Sequence, residues 1–316
     1  MSAVVTFGET MGLFAPASIG RLSNGTELTL GIGGAESNLA IGLSRLGVDV
    51  TWIGRVGADP LGDLVTREVR AEGVDVRAIV DQEARTGLMV KERRVSGASR
   101  VLYYRAGSAG SRLQPEDIEP SLISGAQILH VTGITPALSA SAAETTRHAI
   151  WLARASGVLV SLDVNYRSAL WSRQEAHAAL SSMLPEVNIV FAGLDEAPLL
   201  TGSTSVAPDE QAALISAAGP QHAIIKLGAE GAFARIGFGE FEVPPVPVHA
   251  IDTVGAGDAF AAGYLADIVH GADAETALTT AAAAGAFACL THGDWEGLPT
   301  RAELELLNPA RDPIAR

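Results

Sequence analysis

One cysteine, Cys289, stands in 316 residues, so no intramolecular disulfide can form and stability must come from a packed core. Its alanine-rich surroundings suit a buried thiol better than a nucleophile. Aromatic residues make up 5% of the chain, and no apolar run approaches the roughly 18 residues of a membrane span. The opening Ser2-Ala3-Val4-Val5-Thr6-Phe7 carries neither a basic n-region nor an apolar h-region, and a reducing, cytoplasmic setting is the expectation. Cations are scarce. The 22 Lys and Arg against 36 Asp and Glu leave a net charge of −14, which opposes binding to nucleic acid or an anionic membrane. Any anionic ligand must then be held by local cations. There is no Gly-Lys pair for a P-loop, and Gly31-Ile32-Gly33 runs into Gly34-Ala35-Glu36 instead of completing a dinucleotide fingerprint. A Gly-x-Ser-x-Gly elbow is missing, and the seven histidines lack zinc-ligand spacing, which removes the strongest local signals for a serine hydrolase or a zinc site.

What is abundant is glycine, 34 residues, in a chain that is 47% hydrophobic and 18% charged. This length and composition fit a single α/β domain spanning 1–316, with many alanine-rich helices and tight turns. Apolar runs at 4–7, 50–53, 128–131, 158–163, 188–191 and 223–226 read as buried strands. Helical spacing follows at 35–46, 60–71, 140–155, 174–183 and 194–200, the second opened by an Asp59 cap and Pro60. Such alternation predicts a largely parallel sheet covered on both faces, with ligands at the C-terminal ends of its strands. The pattern changes at 88–95 and 101–105, two extended segments joined by Ser96-Gly97-Ala98-Ser99. They predict a hairpin which, with partners from about 11–31, forms a small sheet outside the main one and lids the cleft from 86–106.

The stretch Asp252-Thr253-Val254-Gly255-Ala256-Gly257-Asp258-Ala259-Phe260 precedes an alanine-rich helical run to Val269. Its glycines allow a tight turn that crowds backbone amides at the helix N-terminus, a seat for anionic oxygen. A carboxylate at Asp258 in the same turn is placed to accept a proton from a hydroxyl beside that anion, which points to phosphoryl transfer to an alcohol. Taken alone, the same residues also describe a glycine turn with a helix-capping aspartate. Six basic residues between Lys91 and Arg112, namely Lys91, Arg93, Arg94, Arg100, Arg105 and Arg112, form an island that suits anionic ligands or simply a solvated face.

Together with Gly33-Gly34-Ala35-Glu36-Ser37-Asn38, this stretch resembles the two signature regions of the ribokinase-like, PfkB-type carbohydrate kinases, in order, separation and setting. Tyr103-Tyr104-Arg105 before Gly107-Ser108-Ala109-Gly110-Ser111, then Gly133 to Leu138, then Leu162-Asp163-Val164-Asn165-Tyr166-Arg167, look like the 2-keto-3-deoxygluconate kinases of that family. The resemblance implies a three-layer α/β/α domain with a small β lid and an ATP- and Mg2+-dependent kinase for the terminal hydroxyl of a sugar acid. It places Asp258 as general base, with Gly255, Ala256 and Gly257 as the anion hole. It puts Gly33, Gly34, Asn38, Tyr103, Arg105, Arg167 and Asp294 on the sugar, and Asn165, Lys226, Gly228, Gly231, Gly255 and Gly257 on the nucleotide. Glu196 falls where the family organises magnesium through water, and some relatives hold a potassium ion beside the Asp252 to Gly257 loop.

Plain alternatives stand beside these roles: strand surface for Tyr103 and Arg105, a surface ion pair for Arg167, an exposed helix carboxylate for Glu196, a turn-forming Asp294. Gly193, Met89 and Ala282 depart from residues the family often carries there. A neutral sugar or a nucleoside as acceptor, or a sugar-binding regulator on the same fold, therefore stays in play. The exposed strands of the lid also offer edges for pairing in a homo-oligomer.

Overall fold

Residues 2–95 and 98–307 are described by a computed structural model; of the joint expected at 96–99, Ser96 and Gly97 lie outside them, and β7 already begins at Ala98. The strands are β1 (Val4–Phe7), β2 (Met11–Pro16), β3 (Leu28–Gly33), β4 (Val50–Gly57), β5 (Asp75–Asp81), β6 (Leu88–Val95) and β7 (Ala98–Tyr104). After these come β8 (Ile128–Thr132), β9 (Leu159–Asp163), β10 (Ile189–Gly193), β11 (His222–Lys226), β12 (Ala232–Ile236) and β13 (Gly239–Val243). Among the described residues nine of them form one sheet in the order β13-β12-β11-β10-β9-β8-β1-β4-β5, parallel from β11 to β5 with β12 and β13 antiparallel at one edge.

The central strands are apolar on both faces because each feeds two cores. Ile189 and Phe191 of β10 enter one cluster with the helices at Ala35–Arg45, Ala256–Val269 and Ala274–Ala288. Val190 and Ala192 enter the other, with the helices at Ala140–Ala155, Arg173–Met183 and Pro208–Ala217. Burial on both sides favours near-continuous apolar strands, so runs such as Ile-Val-Phe-Ala could be read directly from sequence. The chain moves outward from β1 in both directions, to β4 on one side and β8 on the other, which opens a crevice at their C-terminal ends.

The second sheet has the order β3-β2-β6-β7 and projects from that end. Its pairing is mixed, with β2 parallel to β6 and the outer pairs antiparallel. Leu13, Met89 and Tyr103 stand in one cross-strand row, and Lys91 and Val101 in the next, so one face of this lid looks into the crevice. One expectation needs correction, and two elements have no counterpart in the sequence reading. The helix expected at 194–200 is a turn followed by a short helix at Pro198–Thr201, because the Glu196 carboxylate turns back to accept the amides of Gly193 and Tyr166. The edge strand β5 escaped notice because charges interrupt Asp75-Val-Arg-Ala-Ile-Val-Asp, and the helix at Pro208–Ala217 has almost no amphipathic pattern.

Candidate active site

The helix after the glycine-rich turn begins at Ala256, three residues earlier than the alanine run suggests, so Asp258 lies within its first turn. Gly255 precedes it in the left-handed region at φ 77°, and a Cβ there would lie 2.1 Å from the Asp294 carbonyl oxygen. Only glycine meets both demands. No side chain caps this helix end, which leaves its leading amides to an outside acceptor.

Asp258 meets Asn38 from the helix at Ala35–Arg45. Asn38 Nδ2 donates to Asp258 Oδ2 at 2.8 Å, and Asn165 Nδ2 donates to Oδ1 at 3.4 Å. Burial raises the Asp258 carboxyl to about 7, with the charge of Asp163 adding to the rise and Asn38, Arg167 and Lys226 opposing it. A base that titrates near neutrality is matched to removing a proton from an alcohol as phosphorus is attacked. The amide oxygen of Asn38 is buried with no partner among the described residues. Asn165 has φ 39°, the sole positive value among the described non-glycine residues, which concentrates backbone strain at this cluster.

A cavity of about 350 Å3 opens over these groups between sheet and lid. Gly34, Asn38 and Asp294 line it from the main body, and Gly33, Tyr103 and Arg105 from the lid. Asn165, Arg167, Glu196, Lys226, Gly255, Gly257 and Asp258 close its floor. A second cavity of about 620 Å3 adjoins it, lined by Gly228, Gly231, Ala256 and Gly257 and by the apolar Val246, Val248, Ala282 and Phe260. Lys226 and Gly257 border both. All the residues expected on sugar or nucleotide thus meet at one crevice. Asn165, expected on the nucleotide side, stands in the wall of the first cavity beside Asp258.

The individual settings decide several alternatives. Arg105 is buried and not strand surface: its guanidinium bonds Glu9 Oε2 through Nε at 2.7 Å and Nη2 at 2.6 Å. Arg167 is exposed, and among the described residues its guanidinium donates to the neighbouring Tyr166 carbonyl and has no carboxylate partner, so it is not taken up there in a surface ion pair. Glu296, not Asp294, closes the turn at 293–296, where it accepts the amides of Asp294 and Trp295. Burial lifts the Asp294 carboxyl to about 6, against the pull of the Lys91 charge. Glu196 is half-buried and lies on no helix; burial first, then the Asp163 charge, raises its carboxyl. Three of the six cations of the basic island separate into ion pairs, Lys91 with Asp252, Arg105 with Glu9, and Arg112 with Asp81 and Glu83, because Lys91 lies on β6 while Arg105 follows β7 and Arg112 sits in the turn at Gly110–Arg112.

Asp163 and Glu9 were not singled out. Lys226 Nζ lies 2.9 and 2.8 Å from the two Asp163 oxygens, which fixes the ammonium between the two cavities. Asp163 is the last residue of a buried strand, the position that signals a ligand-facing residue in a parallel sheet. Glu9 gives no such signal because its role comes from Arg105, distant in sequence. Among the described residues no group of three or more His, Cys, Asp and Glu is placed to hold a metal ion.

A helix N-terminus open to an anion, a carboxylate of near-neutral pKa beside it and two adjoining cavities define a phosphotransferase with two substrates. The family model for pfkB family carbohydrate kinases matches residues 1–301, and the chain belongs to that family. It is 38% identical over 304 residues to a 2-dehydro-3-deoxygluconokinase of Bacillus subtilis, covering 95% of this chain and 93% of the relative. It is 33% identical to a 2-dehydro-3-deoxygalactonokinase of Haloferax volcanii over 92% of each chain. Among solved structures, an E. coli protein assigned as ribokinase II, in complex with ATP and Mg2+, superposes with a TM-score of 0.89 at 26% identity, over 97% of this chain and 99% of that one.

Proposed function

We propose that this carbohydrate kinase transfers the γ-phosphoryl group of ATP to the terminal hydroxyl of 2-keto-3-deoxygluconate. The observation that carries the reading is Asp258, tuned to about 7 beside an uncapped helix end. The hydroxyl gives its proton to the Asp258 carboxylate as its oxygen bonds to the γ-phosphorus, and the bond to the ADP oxygen breaks. The amides of Gly255, Ala256 and Gly257 hold the equatorial oxygens, on which charge accumulates in a loose transition state. Asn38 fixes the carboxylate through Nδ2 and offers its unpartnered oxygen to a sugar hydroxyl. Arg167 takes the sugar carboxylate in a forked pair, with Tyr103, Arg105, Gly33, Gly34 and Asp294 around the rest of the chain of carbons.

The larger, more apolar cavity takes the nucleotide, with its phosphates toward Lys226, Gly228 and Gly231. The donor set fits a Mg2+ ion carried mainly by phosphates and water, with Glu196 at its edge, since both Glu196 oxygens already accept backbone amides. Such an ion supplies charge neutralisation for the transferred group. A second copy of the chain would pair through the outer face of the lid, where Leu28, Leu30 and Tyr104 are exposed.

A panel of sugar acids, neutral sugars and nucleosides with ATP and coupled detection of ADP tests the reading. Preference for 2-keto-3-deoxygluconate is expected. Faster turnover of fructose or ribose would refute the acceptor, and no acceptor-dependent ADP at all would favour a sugar-binding regulator. The Haloferax relative, named for the galacto epimer, makes that epimer the essential comparison within the panel.

A further inference from the structure

The Asp252 side chain opens the loop that leads into the anion hole, and it is only 10% exposed. Burying that carboxylate without a counter-charge is costly. Its partner comes from the lid: Lys91 of β6, 2% exposed, places Nζ 2.7 Å from Asp252 Oδ2. Oδ1 accepts the Val254 amide at 3.3 Å, and His292 Nδ1 stands 3.9 Å from Oδ2. The Cys289 carbonyl beneath the loop accepts the amides of Ile251 and Asp252. The carboxylate that the Asp252–Gly257 loop offers a potassium ion is that of Asp252, and a fixed ammonium already neutralises it. The residues present therefore do not fit a bound monovalent ion.

We propose that Lys91 is the built-in cation of the Asp252–Gly255 loop, a positioning residue that holds the anion hole in place and makes the reaction independent of potassium. The proposal rests on the kinase reading for its activity arm. The pair also ties the lid to the anion hole, since the two partners lie 161 residues apart. Burial pushes the Asp252 carboxyl up, but the Lys91 bond and charge, with the Val254 amide and the Arg93 charge, together hold it below the usual carboxylate range.

The wild-type rate should be the same in potassium chloride and in tetramethylammonium chloride of equal ionic strength. Lys91→Ala should lower kcat at least about tenfold by leaving Asp252 unpaired, and potassium or n-propylammonium should restore part of the loss. Lys91→Arg should retain more activity than Lys91→Ala without added cation. In thermal unfolding, potassium should raise the melting temperature of Lys91→Ala and leave the wild type unmoved. Stimulation of the wild type by potassium overturns the proposal, as does a Lys91→Ala loss that no cation relieves, the behaviour of a lysine that only touches substrate. If Lys91→Ala does not fold, the wild-type comparison decides alone. If no acceptor is phosphorylated, the wild-type melting comparison still decides, so failure of the kinase reading is seen separately.

Discussion

Asn38 donates to Asp258 across 2.8 Å, and one helical turn further along each helix Gly42 faces Ala262. Residues 38 and 42, and 258 and 262, are i,i+4 pairs and so lie on one stripe of each helix. The helix that carries the sugar-side amide therefore docks on the helix that carries the base through a glycine. A Cβ at Gly42 would come within 2.9 Å of the Ala262 Cβ.

That contact gives the first prediction. Gly42→Val should push the two helices apart and destabilise the chain by about 1–3 kcal/mol through overpacking. Displacement of Asn38 from Asp258 should also lower kcat by up to about 100-fold, and Gly42→Ala, whose Cβ already meets the Ala262 Cβ, should shift both quantities in the same direction by less. Denaturant unfolding and steady-state kinetics on both variants check this. A Val variant with reduced stability but wild-type kcat would show that the helix contact does not set the position of the base.

The second concerns pH. With the Asp258 carboxyl raised from 3.8 to about 7, kcat/KM should rise with pH through about 7 as the base ionises. Asp258→Asn should lose turnover by about 100-fold or more while still binding nucleotide and sugar. Stability has the opposite sign. A carboxyl whose pKa is raised in the folded state contributes stability that is full below 3.8 and gone once pH passes about 7. Asp258→Asn should therefore gain melting temperature relative to wild type as pH rises through that window, measured by calorimetry at its two ends. Asp294, raised to about 6, titrates in the same region; Asp294→Asn should keep the activity rise near 7, which assigns that rise to Asp258.

Much of this was legible in the sequence because it is local. The two signature stretches, Gly33 to Asn38 and Asp252 to Phe260, carry their glycines, amide and carboxylate within a few residues. The buried parallel strands are likewise continuous apolar runs. Pairings between distant segments were hidden. Nothing near Lys91 announces Asp252, nothing near Arg105 announces Glu9, and cations close in sequence read as one basic surface although their carboxylate partners come from distant segments. Glu196 was misread as helical for the related reason that a side chain reaching back to backbone amides leaves no periodic trace.

A third prediction follows from Arg167, exposed in the cavity with no carboxylate partner among the described residues. Arg167→Ala should reduce kcat/KM for the sugar acid by about 10- to 100-fold, the worth of a charge-assisted hydrogen bond, with little change for a neutral sugar. Arg167→Lys should recover only part, since an ammonium cannot copy the forked geometry. The ratio of kcat/KM for acid and neutral acceptors is the measurement, and an unchanged ratio in the Ala variant would remove Arg167 from carboxylate recognition.

The Glu9–Arg105 pair carries the last prediction. Glu9 is 2% exposed and Arg105 9%, and Ser108 donates to the other Glu9 oxygen, so the guanidinium is held at the cavity by a buried carboxylate 96 residues away in sequence. Glu9→Gln leaves a buried cation without its counter-charge, a change that costs about 3–5 kcal/mol when one partner of such a pair is removed. Stability should fall accordingly. Freed from Glu9, Arg105 should also lose its fixed approach to the sugar, raising KM for the sugar more than it lowers kcat. A double-mutant cycle separates positioning from general loosening of the lid. If Glu9 acts through Arg105, Glu9→Gln combined with Arg105→Ala should have the same sugar KM as Arg105→Ala alone, and it should be more stable than Glu9→Gln alone because the unpaired charge is gone. Additive effects on KM would instead mean that Glu9 supports the site independently of the arginine it binds.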